Sequence, residues 1–135
     1  IAMKLSAKTR YGIAALTYMH ISDNEVTTLV NIADHLNVSK LYLEQVFARL
    51  KQANLVDAIK GPAGGYLLTS SECNMFNILK SLEPSLFEKT PASTDDSEIN
   101  AALCDGLYTP IDNLFEEHLK SIRLKDIAKD LKETS

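Results

Sequence analysis

The chain has 135 residues, 45% apolar and 24% charged, which suits one hydrophobic core with at most a helical appendage and argues against a second full domain. No run approaches the roughly 18 consecutive apolar residues that cross a bilayer, and Ile1 to Arg10 lack a signal-peptide apolar segment. A cytoplasmic protein with no membrane partner is therefore expected. The net charge of −4 speaks against nucleic acid until the chain is divided: residues 1–68 carry seven Lys/Arg against five Asp/Glu, and residues 69–135 carry seven against thirteen, so only the first part suits phosphate.

Ile1-Ala2 ahead of Met3 reads as an expression remnant and is set aside. Ser6 is placed to cap a first helix in which Tyr11, Ala14, Ala15, Tyr18 and Met19 recur at helical spacing, with Ile13 and Leu16 widening the stripe. After the polar turn Ser22-Asp23-Asn24-Glu25, Val26-Thr27 suits a short strand. Thr28 then caps a second helix with Leu29, Ile32, Ala33 and Leu36 at i, i+3, i+4 and i+7. Asn37-Val38 turns the chain, and Ser39 caps a third helix in which Leu43, Val46, Phe47 and Leu50 repeat that spacing. Two short helices joined by a tight turn, with inward apolar residues on both, are the pattern of a helix-turn-helix unit.

At about 100° per residue, Leu41, Gln45, Ala48, Arg49 and Gln52 fall opposite the buried stripe of the third helix, with Tyr42 and Glu44 on its flanks. Leu55 to Ile59 then reads as a strand, Gly61-Pro62-Ala63-Gly64-Gly65 as a turn and Tyr66 to Leu68 as the returning strand, forming a small wing. Met75, Ile78, Leu79 and Leu82 mark a fourth helix that Pro84 ends. Glu88 to Glu98, EKTPASTDDSE, is polar and expected to be a mobile loop. Ile99, Ala102 and Leu103 begin another helical pattern, which resumes past Pro110 with Ile111, Leu114, Phe115, Leu119 and Ile122 before a short terminal helix over Leu124 to Leu131.

The fold expected is mainly α with a small β wing. A winged helix-turn-helix DNA-binding domain occupies residues 3–84, a flexible loop 85–98, and a dimerisation helix with a short terminal helix 99–135. A long helix remote from a compact domain leaves an apolar stripe to cover, and a second copy of the chain is the economical cover; the alternative is a helix folded back on its own domain.

Duplex DNA needs cationic or hydroxyl groups for phosphate and side chains that reach base edges. Lys4, Ser6, Lys8 and Arg10 at the first helix, and Ser39, Lys40 and Lys51 at the third, suit phosphate. On the reading face, Gln45 suits adenine, Glu44 the cytosine amino group, and Leu41 or Ala48 a thymine methyl, with Arg49 beside them. Lys60 next to Gly61, with Gly64 and Gly65 closing the turn, suits a minor groove. Solvated helix faces and ordinary turn glycines are the plain alternatives to these readings.

Gly64-Gly65 leads into a strand and lacks the Lys-Ser/Thr of a phosphate-binding loop. His20, His35 and His118 share no ligand spacing, and Cys73 and Cys104 form no metal-binding pair. No catalytic constellation emerges, so an enzyme is not expected. Cys104 reads first as a partly buried structural thiol and second as a redox site.

Three blocks in order, MKLSAKTRYG at 3–12, SKLYLEQVFARLKQANLV at 39–56 and KGPAGGYLL at 60–68, closely resemble the Rrf-two type winged-helix transcription regulators. IRLKDI at 122–127 is similar to the segment that follows their dimerisation helix. The resemblance implies a dimeric bacterial regulator, usually a repressor, whose recognition helices enter successive major grooves of a palindromic operator while the wings contact minor grooves. By motif position it supports Tyr42, Glu44 and Gln45, and also Lys60, where the family commonly carries Arg; Lys keeps the charge but not the planar fork. Many relatives hold an iron–sulfur cluster on three cysteines between the fourth helix and the dimerisation helix. The corresponding loop here has none, which implies a cluster-free member without a metal cofactor. Three effectors stay open: a small molecule between wing domain and long helix, a protein on the acidic half, or oxidation at Cys104. A winged-helix module that docks proteins instead of DNA is the alternative function.

Overall fold

Four polar side chains start the first four helices. Ser6 caps α1 (Ala7–Ile21), Thr28 caps α2 (Leu29–Leu36), Ser39 caps α3 (Lys40–Gln52) and Asn74 caps α4 (Met75–Leu82); each oxygen accepts from the backbone N–H three residues on. That N–H has no partner within its own helix, so the cap supplies one. Asn37 (φ 58°) and Asn54 (φ 60°) adopt the left-handed conformation that stops α2 and α3. The computed structural model describes residues 4–22, 24–70, 72–90 and 96–131. Met3, Asp23, Ser71, Pro91–Asp95 of the polar loop and residues 132–135 of the terminal unit lie outside the described residues.

The wing pairs β1 (Val56–Ile59) antiparallel with β2 (Gly65–Leu68), Val56 opposite Leu68 and Ile59 opposite Gly65. Thr27 adds a single bridge to Tyr66 through two backbone hydrogen bonds of 2.8 Å, which is all that forms of the short strand expected at Val26-Thr27. After α4, Pro84–Phe87 makes a 3-10 turn whose Leu86 and Phe87 pack against the core, so residues 85–87 are not part of a flexible loop. Asp96 caps α5 (Ser97–Leu103), which runs through a π turn (Cys104–Tyr108) into α6 (Thr109–Lys120). Pro110 has no N–H to give the carbonyl four residues back, and its ring would clash there. The helix absorbs this by widening one turn, with the Thr109 N–H reaching the Cys104 carbonyl.

The core joins Leu16, Ile32, Leu43, Val46, Phe47, Leu50, Val56, Ile78, Leu79 and Leu124, all fully buried. On α1 the buried residues are Thr9, Gly12, Ala15, Leu16 and Met19: the expected Ala15, Leu16 and Met19 are inside, while Thr9 and Gly12 take the places that periodicity gave to Tyr11 and Tyr18. A Cβ at Gly12 would lie 3.0 Å from Leu82 Cδ1 and 3.4 Å from Val46, so small residues on this face let α3 and α4 approach closely. Tyr11 and Tyr18 sit half-buried at its edges, where a phenol keeps its apolar ring packed and its hydroxyl near water.

The terminal helix α7 (Leu124–Ala128) packs back on the winged domain. The Met75 N–H donates to Ile122 O (2.8 Å) and the Leu124 N–H to Cys73 O (3.1 Å), α7 lies against α1, and Leu124 and Ala128 are buried in the winged core. Leu124 thus adds to the core of the winged domain. Among the described residues, no helix is long and apolar enough to cross a membrane.

Candidate nucleic-acid interface

The left-handed Asn37 and the Val38 N–H bonded to Ala33 O (3.0 Å) bend the chain sharply, and the Ser39 hydroxyl restarts it by accepting the Tyr42 N–H at 3.0 Å. Burial of Leu43, Val46, Phe47 and Leu50 then decides which side of α3 faces out. Leu41, Glu44, Gln45 and Ala48 form an exposed stripe at i, i+3, i+4 and i+7, with Lys40 and Lys51 exposed beside it. Leu41 is 68% exposed, unusual for a large aliphatic side chain. Tyr42 is half-buried, its ring edge-on to Tyr11 of α1 at 5.7 Å and 87°, and this contact ties the start of α3 to α1.

The remaining α3 candidate behaves differently. Arg49 is an exposed residue, but its Nη1 donates to the Leu82 carbonyl at 3.1 Å, which turns the guanidinium toward the end of α4 and off the reading stripe. Ser6 is likewise engaged within the chain. Its hydroxyl accepts from the Thr9 N–H and donates to Thr9 Oγ1, while its backbone N–H donates to Glu83 Oε1 at 2.6 Å. That backbone bond is the chief cause holding the Glu83 carboxyl below the ordinary glutamate range, against the opposing effect of burial. Ser6 and Arg49 thus both bond within the chain, at the corner where α1, α3 and α4 meet. Lys4, Lys8 and Arg10 are exposed at the start of α1, as phosphate contacts require.

In the wing, Lys60 is exposed at the end of β1. Gly61 has φ +102°, the Gly64 N–H donates to Gly61 O at 2.9 Å, and a Cβ at Gly64 would collide with the Ile59 carbonyl. A Cβ at Gly65 would stand 2.6 Å from Thr27 O, so this glycine admits the third backbone segment. Tyr66 packs beneath the wing on Phe47, ring centroids 4.7 Å apart, and is not offered to a base.

The dimerisation stripe splits in two. Ile111 and Leu114 are 50% and 67% exposed, and Ile99, which begins the expected pattern, and Leu107, absent from it, are exposed as well. Phe115 instead stacks on Phe87 at 5.7 Å, Leu119 is buried, and Ile122 packs against the core. These three side chains pack, wholly or in part, against their own domain. The groove between the 3-10 turn and α6, lined by Phe87, Glu88, Asp112 and Phe115 among others, holds about 10 Å³, room for no more than a water.

Periodicity alone misses Thr9, Gly12 and Leu124. A second reading of α1, taking Thr9, Gly12, Leu16 and Met19 at i, i+3, i+7 and i+10, would have found the first two. Cys73 is half-buried, and burial pushes its thiol up from the ordinary value. Cys104 is half-buried in the π turn.

A helix-turn-helix carrying an exposed mixed stripe, buttressed by a two-stranded wing with a basic residue at its turn, defines the winged helix-turn-helix class. Residues 5–130 match the family described as "Rrf2: Iron-dependent Transcriptional regulator", and the chain belongs to that family of bacterial transcription regulators. The HTH-type transcriptional regulator IscR of Cereibacter sphaeroides is 29% identical, covering 95% of this chain and 88% of the relative. The structure of CymR, the global cysteine regulator of B. subtilis, superposes with a TM-score of 0.76 at 29% identity, covering 95% of this chain and 98% of that one. T. potens IscR gives 0.71 at 31% identity, covering 97% and 90%. These relatives are regulators, not enzymes.

The iron in the family description finds no matching ligand set among the described residues. An iron–sulfur cluster draws on three or four protein ligands, mostly thiolates, and the sequence holds two cysteines. They sit on separate elements, and no group of three His, Cys, Asp or Glu comes together among the described residues.

Proposed function

We propose that this regulator is a homodimeric, sequence-specific repressor that binds a palindromic operator, with α3 in the major groove and the wing turn in the adjacent minor groove. The observation that carries the reading is the exposed stripe Leu41, Glu44, Gln45 and Ala48 on a helix whose opposite side is fully buried, beside a wing that presents Lys60. Gln45 supplies a bidentate partner for adenine, Glu44 an acceptor for the cytosine amino group and Leu41 a methyl contact, while Lys4, Lys8, Arg10, Lys40 and Lys51 supply charge for phosphates. Ser39 keeps a free hydroxyl proton for phosphate as well. The apolar patch of Ile99, Leu107, Ile111 and Leu114 supports dimerisation, since such a patch on a soluble chain marks an interaction surface. Two copies related by a two-fold axis would present two reading helices to two half-sites, and occupancy of promoter DNA would then block transcription.

Selection of duplexes from a random library, followed by anisotropy titration at several salt concentrations, tests this. A palindromic sequence bound far more tightly than scrambled DNA, with affinity falling steeply as salt rises, is the expected result. Equal and weak binding to all duplexes would instead assign the wing domain to protein docking.

A further inference from the structure

We propose that Arg49 is a positioning residue of the reading helix: by sharing the Leu82 carbonyl with Thr9, it fixes the angle of α3 and acts on base recognition through that joint, without touching DNA. This rests on the DNA-binding reading above.

The Leu82 carbonyl is the last of α4 and lacks a helical donor. The N–H that would serve it, that of Leu86, donates to Glu83 O at 3.1 Å, and Pro84 has no N–H. Two side chains from two other helices fill the gap. Thr9 Oγ1 of α1 donates at 3.2 Å and Arg49 Nη1 of α3 at 3.1 Å, which uses both lone pairs of the oxygen. Thr9 is completely buried and Arg49 is in the last turn of α3, so the corner locks the start of α1, the end of α3 and the end of α4 together.

At its other end α3 is held to α1 by the Tyr42–Tyr11 ring contact. A helix pinned at both ends against the same neighbours has its tilt determined, and the stripe between the pins inherits it. Hydrogen bonds to base edges need donor–acceptor distances near 3 Å, so a small change of tilt is felt in sequence discrimination before general affinity. The guanidinium also faces the negative end of the α4 dipole, within electrostatic reach of Glu83, so its charge is answered inside the chain. The same corner continues through Pro84 to Phe87, which stacks on Phe115 of α6. The joint thus stands between the reading helix and the long helix.

The test uses the full chain with the duplex it enriches from a random library and a scrambled duplex of equal composition, titrated across salt well below the thermal midpoint. Arg49→Gln and Thr9→Val are each expected to cut the preference for the selected duplex by roughly three- to tenfold, about one hydrogen bond. Binding to scrambled DNA and the salt slope should stay unchanged, the double variant should be no worse than the poorer single, and Arg49→Lys should restore part of the preference. If Arg49→Gln weakens both duplexes alike and lowers the salt slope by about one, Arg49 contacts a phosphate and the proposal is wrong. A fall in thermal midpoint with the preference intact would also overturn it, by reducing the joint to structural support. Failure of the unmodified chain to enrich any sequence is a separate result that removes the underlying reading as well.

Discussion

From Ser6 to Leu82 each helix closes its apolar stripe against another element of the same chain, whereas among the described residues the stretch from Ser97 to Tyr108 buries none and, with the first turns of α6, exposes Ile99, Leu107, Ile111 and Leu114. The first region carries a cap at each of its four helices and a core whose largest side chains are completely excluded from water. The second joins it where Phe115, Leu119 and Ile122 return to the core. One region is a finished fold; the other is a helix whose outer half awaits a cover. The contrast separates stability, which belongs to the winged core, from assembly, which the proposed dimer would place on the long helix.

The contrast breaks most directly at its largest effect. Phe47→Ala should lower unfolding free energy by about 3–5 kcal/mol in urea denaturation, while Leu114→Ala should cost the isolated chain no more than ~0.5 kcal/mol. Comparable losses at both sites would mean that the long helix belongs to the core after all. Leu114→Asp puts a charge into the exposed patch and should weaken self-association at least about tenfold, read by sedimentation equilibrium, with secondary structure retained. An unchanged association constant would move the dimer interface elsewhere.

On the surface of the winged domain, Gln45→Ala should lower affinity for the selected duplex by about 1–3 kcal/mol and relax one base preference, whereas Lys8→Ala should weaken all duplexes alike and reduce the salt slope by about one. The smallest effect concerns pH. Glu83 has a folded-state pKa below its ordinary value because the Ser6 N–H stabilises its carboxylate. Its contribution is therefore present at and above the ordinary glutamate range and is lost as pH falls through the lowered value. Glu83→Gln should flatten the acid side of a plot of thermal midpoint against pH; an unaltered acid limb would show that the latch is not titrating.

Much of the winged core was legible because its signals are local. Ser6, Thr28 and Ser39 stand ahead of their helices, Leu43, Val46, Phe47 and Leu50 repeat at helical spacing, and Gly61 to Gly65 can only turn. The ambiguities arose where one residue has two plausible partners. Tyr11 and Tyr18 are more apolar than Thr9 and Gly12, yet close helix approach favours the small pair. Arg49 looks like a base or phosphate contact until an orphaned carbonyl 33 positions away is seen to need a donor. Leu119 looks the same as Leu114 in a helical stripe, and only their neighbours distinguish them.

The sequence by itself determined where helices begin and stop, which side of α3 is buried, and that the turn after Lys60 is glycine-built, since caps, periodicity and φ preferences act within a few residues. The family blocks around those features pointed to a regulator of DNA. Tertiary structure alone decided that the terminal helix packs back on the winged domain, that Phe115, Leu119 and Ile122 face inward, and that Arg49 serves a helix end. Those outcomes depend on which unpaired backbone groups and apolar faces are brought together by distant segments, and no local pattern encodes that pairing.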